Sequence, residues 1–194
     1  MMRNYMQALS LSLMLLFSLS VSASAAAQVW KQHLPQAKML GGGEFRWWGF
    51  SIYTARIWQQ TPNKDGGLDQ NASFALEITY NKSISRDRFV DSSIDEIKRL
   101  HGDKFNADKL KLWHQYMEKA FIDVKPDDQL IGVYLPGIGC RFYSQQYLLA
   151  EIPDETFANA FFSIWLDPRT KDSNLRQQLL GNNKLSVAIT GPSM

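Results

Sequence analysis

The sequence predicts an α+β domain in which an antiparallel sheet carries helices over one face. Two observations lead there. Segments with strand periodicity and segments with helix periodicity come in blocks, strands then helices then strands then helices, instead of alternating one for one. The run "FALEITY" at 74–80 also alternates cleanly, with Phe74, Leu76, Ile78 and Tyr80 on one side and Ala75, Glu77 and Thr79 on the other, as a strand with one solvated face does.

Taken in order, the first strand is expected over residues 45–58, rich in aromatic and β-branched residues. Both of its alternating faces are largely apolar, which predicts a central strand covered on both sides. The three glycines Gly41, Gly42 and Gly43 ahead of it read as a flexible lead-in turn. Residues 61–71, "TPNKDGGLDQN", hold the turn formers of a loop that leads into the 74–80 strand. A helix follows over 85–102, where Phe89, Ile94, Ile97 and Leu100 recur at helical spacing and Gly102 supplies a stop. Asn106 caps a second helix with the stripe Leu110, Trp113, Met117 and Phe121. Beyond Pro126, two or three strands are separated by turns at Pro136-Gly137 and at Ser144-Gln145-Gln146. Pro153-Asp154 opens the apolar helix "ETFANAFFSIWL", which ends at Asp167-Pro168. A short helix over 175–180 takes Asp172 or Ser173 as its cap and ends at Gly181. "KLSVAIT", near the C-terminus, alternates like one more strand.

The first 27 of the 194 residues read as a signal peptide and not as part of this domain. Arg3 precedes the uncharged run "ALSLSLMLLFSLSV", and the small residues of "SASAAAQ" offer cleavage sites near Ala25 to Ala27. The apolar run is shorter than the ~20 residues of a bilayer span. The expectation is a periplasmic or secreted protein whose residues 28–194 form a single domain without a stable membrane span after cleavage. Removing the segment deletes one basic residue of 21 and none of the 19 acids, so the balance is near neutral and gives no general field for nucleic acid or anionic membranes. Cys140 stands alone and can make no internal disulfide, so the core must hold the chain together. Six tryptophans and eleven phenylalanines supply the apolar area for that.

Most catalytic patterns are missing. The glycine triplet precedes a strand, whereas a phosphate loop needs glycines between a strand and a helix N-terminus. His33, His101 and His114 are scattered without metal-ligand spacing, and the Asp127-Asp128 and Asp65-Gly66 pairs lack the pattern of a calcium loop. No G-x-S-x-G occurs, and Cys140 has no histidine near it in sequence. Neither a catalytic residue, a metal site nor a cofactor is therefore nominated. Arg46 and Arg56 stand out instead, because a guanidinium on an apolar strand needs a carboxylate, an escape to the sheet edge, or a ligand acid group.

The stretch "GGGEFRWWGFSIYTARIW" resembles the pattern of the chalcone isomerase-like family, with "IYTARIW" its most characteristic part. "GIGCRFYSQQ", "IPDETFANAFFSIWL" and "LRQQLLG" resemble the later strands and C-terminal helices of an exported bacterial branch of that family. The resemblance implies an open-faced β-sandwich, a large antiparallel sheet layered with helices, with an apolar ligand held in a cleft between them. Plant enzymes of the family close a chalcone into a flavanone, using an arginine and the hydroxyls of threonine and tyrosine. Fatty-acid-binding relatives grip a carboxylate with arginine and tyrosine and catalyse nothing. Arg46 is the best match to the family arginine. Tyr53 falls where the enzymes carry threonine and the binders tyrosine. The enzymes' tyrosine near the start of the first helix is missing from "SISRDRFV", which offers Arg86 and Arg88 instead.

The expected function is therefore non-catalytic binding of a small apolar or carboxylate ligand by Arg46 and Tyr53. Intramolecular lyase activity is the first alternative. A structural or partner-binding module, its cleft plugged by Trp47, Trp48, Phe161, Phe162 and Trp165, is the second. Arg46 and Tyr53 are seven residues apart and on a regular strand would face opposite ways. Sharing one cleft requires an inserted residue, expected at Gly49.

Overall fold

The computed structural model describes residues 29–181, so the signal segment and the "KLSVAIT" strand lie outside the described residues. Among the described residues, six strands form one antiparallel sheet in sequence order: β1 (Lys38–Trp47), β2 (Phe50–Gln59), β3 (Phe74–Tyr80), β4 (Gln129–Leu135), β5 (Gly139–Tyr143) and β6 (Leu148–Ile152). Helices α1 (Arg86–His101) and α2 (Ala107–Ala120) are inserted between β3 and β4, and α3 (Glu155–Leu166) and α4 (Ser173–Leu179) follow β6. The helices cover one face, where Ile57, Phe74, Leu76, Ile78 and Phe142 are buried with Ile97, Trp113 and Phe161. On the opposite face the 3₁₀ turn Val29–His33 lays Trp30, followed by Leu34, over Ala75, Ile131, Val133 and Tyr143. That makes an open-faced β-sandwich of α+β class, as expected.

Every described α-helix starts on a side-chain cap. Ser85, Asn106, Asp154 and Asp172 each accept a hydrogen bond from the backbone N–H three residues on. Gly102, at φ 54°, closes α1 by donating its N–H to the Lys98 carbonyl. Asp154 does double service, because the Trp113 indole also donates to it at 3.1 Å and so pins α2 to the start of α3.

Three expectations need correction. The strand expected over 45–58 is broken near its start: Trp47 pairs with Phe50 across a two-residue hairpin whose central residues, Trp48 and Gly49, have φ 51° and 81°. Two positive φ values mark the primed turn that matches strand twist. β1 is the edge of the sheet among the described residues, and Gly49 is a turn residue instead of a bulge. Secondly, the glycine triplet lies inside β1, not in a lead-in turn. A Cβ on Gly41 would collide with the Gln178 and Leu179 carbonyls, so the glycine lets the end of α4 lie directly on the strand. Thirdly, β3 has no solvated face. Ala75 is buried beneath Trp30, and Glu77 pairs with Arg56 directly across the strands at 2.9 Å. That pair also answers the desolvation problem of Arg56 without any ligand.

Candidate functional site

A cleft of about 450 Å³ opens between the β1–β3 end of the sheet, α1, and the link from α3 to α4. Its sheet wall is shaped by an irregularity in the hairpin. Phe45 pairs with Tyr53, yet Arg46 pairs with Ser51, so Ile52 is the extra residue of a β-bulge. Both Ile52 and Tyr53 consequently line the cleft, which a regular strand would forbid. The aromatic wall is continuous. Phe45 stacks on Tyr53 at 5.0 Å, Tyr53 meets Tyr80 edge-on at 6.3 Å, and Tyr80 meets Phe89 of α1 at 6.0 Å. Ile78, Ile164, Trp165 and Leu175 complete the apolar lining.

Two tyrosine hydroxyls lie within this aromatic wall. The Trp165 indole N–H donates to the Tyr53 oxygen at 3.0 Å, which leaves the Tyr53 proton available. Tyr80, 2% exposed, has a hydroxyl with no hydrogen-bond partner among the described residues. Burial pushes both phenols well above the usual tyrosine range, outweighing the Trp165 hydrogen bond at Tyr53. At neutral pH both are therefore uncharged donors, not bases.

The charges on the wall are mostly spoken for. Glu96 accepts from Arg99 at 2.6 Å and from Lys171 at 2.8 Å. Asp172 caps α4, and Arg176 donates to the Leu166 carbonyl at 2.7 Å. Arg88 and Lys82 line the same cleft and have no carboxylate partner among the described residues. Both are exposed, which places them at its mouth.

Tyr53 thus lies in the cleft and Arg46 does not. Arg46 lies on the other side of β1, its Nε 2.6 Å from the Glu44 carboxylate and its Nη1 3.2 Å from the Gly49 carbonyl. The extra residue is at 52, on the Tyr53 side of the turn, so it turns Tyr53 into the cleft and leaves Arg46 outside. A shared face for the two side chains is therefore corrected to opposite faces. Of the rings proposed to plug the cleft, Phe161 and Phe162 belong to the core, Trp47 and Trp165 form walls, and Trp48 stands in solvent. Tyr80, Arg88 and Phe89 enter the site unforeseen. Tyr80 and Phe89 read as members of apolar stripes, and Arg88 only as a replacement for a missing tyrosine.

A six-stranded antiparallel sheet, helices on one face and an apolar cleft between them define an open-faced β-sandwich with a ligand-sized interior. The chain belongs to the chalcone isomerase-like family, whose pattern it matches over residues 26–181. A protein of Haemophilus influenzae with no assigned role is 32% identical over 152 residues, spanning 78% of this chain and 71% of that one. Among solved structures, a fatty-acid binding protein of Arabidopsis thaliana superposes with a TM-score of 0.56 at 13% identity, covering 76% of this chain and 88% of that one. At that identity the likeness establishes a shared fold.

Proposed function

We propose that the protein binds a small, largely apolar molecule with an acid group, of the fatty-acid type, in the sheet–helix cleft and performs no chemistry on it. The observation that carries this reading is an apolar cleft lined by one buried and one half-buried tyrosine, with an arginine at its mouth that has no carboxylate partner among the described residues. The cleft volume falls within the ~300–1,000 Å³ usual for small-molecule sites. Arg88 takes the role expected of Arg46 and supplies charge for the acid. Tyr53 and Tyr80 supply neutral O–H donors, and a charge-assisted hydrogen bond in an apolar site is worth more than one in water. Each methylene buried along Ile78, Phe89 and Ile164 adds about 0.8 kcal/mol, against several kcal/mol for association. The fatty-acid binding name of the Arabidopsis structure agrees with this ligand class. We further propose that residues 1–27 direct export and that the binding occurs in the periplasm or outside the cell.

Native mass spectrometry of protein taken from its own cells, fractionated to test export, reads any bound amphiphile directly. Displacement of a fluorescent fatty acid from purified protein, compared between parent and Arg88→Ala, tests the anchor. Protein that is empty and also leaves the probe undisplaced overturns the proposal. An Arg88→Ala variant with parental affinity removes the arginine from it.

A further inference from the structure

The tip of the β1–β2 hairpin is built in a way that folding does not explain. A two-residue turn with both φ values positive is made for Asn-Gly. The structure places Trp48 there at φ 51°, a conformation that costs a bulky side chain energy. Trp48 recovers nothing by burial, being 85% exposed, and its neighbours Phe50 and Trp47 are 65% and 58% exposed. Three large rings thus stand in solvent on the end of a strand pair.

Their surroundings are cationic. The Lys82 ammonium sits 5.9 Å from the centre of the Phe50 ring. Lys82 and Arg88 have no carboxylate partner among the described residues, whereas the nearby acids Glu44 and Asp87 are each matched, by Arg46 and Arg86. Trp47, Lys82 and Arg88 also line the cleft, so the tip and the cleft mouth are one surface. Tryptophan has an apolar body and a polar N–H, and it concentrates where bilayer meets water. Unpaired cations beside it suit the anionic headgroups of such a surface.

We propose that the hairpin tip is a membrane-interfacial anchor. Trp48 and Phe50 enter the boundary between headgroups and acyl chains of an anionic bilayer, and Lys82 and Arg88 meet the headgroups. The cleft mouth then rests on the bilayer, and an amphiphile moves between membrane and cleft without crossing water. The transfer role rests on the ligand class proposed above; the anchor itself does not.

The test is co-sedimentation of the full protein with vesicles of phosphatidylethanolamine and phosphatidylglycerol, against vesicles of phosphatidylcholine. The parent is expected to bind the anionic vesicles more tightly, and less so as salt rises. Lys82→Gln should lower that affinity roughly fivefold. The double variant Trp48→Asn, Phe50→Ser should lose vesicle binding tenfold or more. Neither residue lines the cleft, so displacement of a fluorescent fatty acid in vesicle-free solution should match the parent. A parent that binds neither vesicle overturns the anchor and leaves the tip as a protein-docking surface; a double variant that binds as the parent does overturns it too. Vesicle binding that the double variant loses, in a protein that ignores fatty acids in solution, supports the anchor and defeats the ligand reading alone.

Discussion

Tyr80→Phe should stabilise the protein without ligand and weaken the binding of a fatty acid. The substitution deletes one oxygen and leaves the ring where it packs, between Tyr53 and Phe89. That oxygen is buried with no hydrogen-bond partner among the described residues, a situation that costs about 1–3 kcal/mol. Part of it returns in the variant. We expect a gain of ~1 kcal/mol, or about 2–4 °C in Tm for a chain of this size. If Tyr80 donates to a ligand carboxylate, the lost charge-assisted bond is worth about 1.5–3 kcal/mol, a roughly 10- to 100-fold rise in Kd. Tyr53→Phe provides the internal contrast. It strips the acceptor from the Trp165 indole, so it should destabilise by about 1–2 kcal/mol while also weakening binding. Urea denaturation with and without dodecanoate measures both quantities for both variants. Equal destabilisation by the two substitutions would refute the account of Tyr80 as an orphaned donor. Unchanged dodecanoate affinity in both would separate the phenols from the ligand.

Three further outcomes follow from the same geometry. Gly41→Ala forces the end of α4 to retreat by more than ~1 Å from backbone oxygens that cannot rotate away; urea denaturation should show about 2–4 kcal/mol lost, and more than for Gly43→Ala, whose main obstacle is the flexible Gln178 side chain. Trp48→Asn relieves the strained turn and should raise stability by about 1 kcal/mol in the same assay. Because the folded phenols of Tyr53 and Tyr80 titrate above their unfolded value of 10.0, their contribution is complete below that pH and is lost as pH rises through and beyond it; an alkaline denaturation series should show a steeper loss in the parent than in the doubly phenylalanine-substituted protein.

The helical half of the fold was legible because its signals are local. The stripe of Ile94, Ile97 and Leu100, the caps Asn106 and Asp172 and the stop at Gly102 all act within a few residues of themselves. The hairpin was hidden because its turn begins with tryptophan, a residue that avoids positive φ, so "RWWGF" reads as continuous strand. The glycine triplet misled for a different reason. Its partner, Gln178, lies far away in sequence, and no local pattern marks a close approach. Arg46 is the case where the sequence held the answer. Glu44 is two residues earlier on the same strand face, near enough to pair with it, and the solvated edge of the sheet lets both remain charged. Tyr80 could not have been singled out, since an unmet hydrogen bond is a property of its neighbours.

One acid on the cleft wall has to be reconciled with an anionic ligand. Glu96 is 8% exposed at its side chain, and burial alone would raise its pKa. Hydrogen bonds and charge from Arg99 and Lys171 outweigh that and hold it below the usual range, so it is ionised at neutral pH and locally balanced. Those bonds also fasten the link between α3 and α4, because Arg99 donates to the Arg169 carbonyl at 2.8 Å and Lys171 belongs to the link itself. A depressed acid contributes stability above its unfolded value, near 4.5, that is lost as pH falls below it. Glu96→Gln should therefore cost about 1–2 kcal/mol at pH 7, less than a fully buried pair because both cations keep water contact, and should flatten the acid limb of the stability profile. Its effect on binding has two parts. A looser wall weakens every ligand, whereas the loss of a negative charge beside the cleft favours an acid over a neutral analogue. The ratio of affinities for dodecanoate and its methyl ester isolates the second part, and it should rise in the variant. A constant ratio would mean that the field of Glu96 does not reach the ligand head, which would move the acid-binding end of the cleft away from α1 and Arg88 with it.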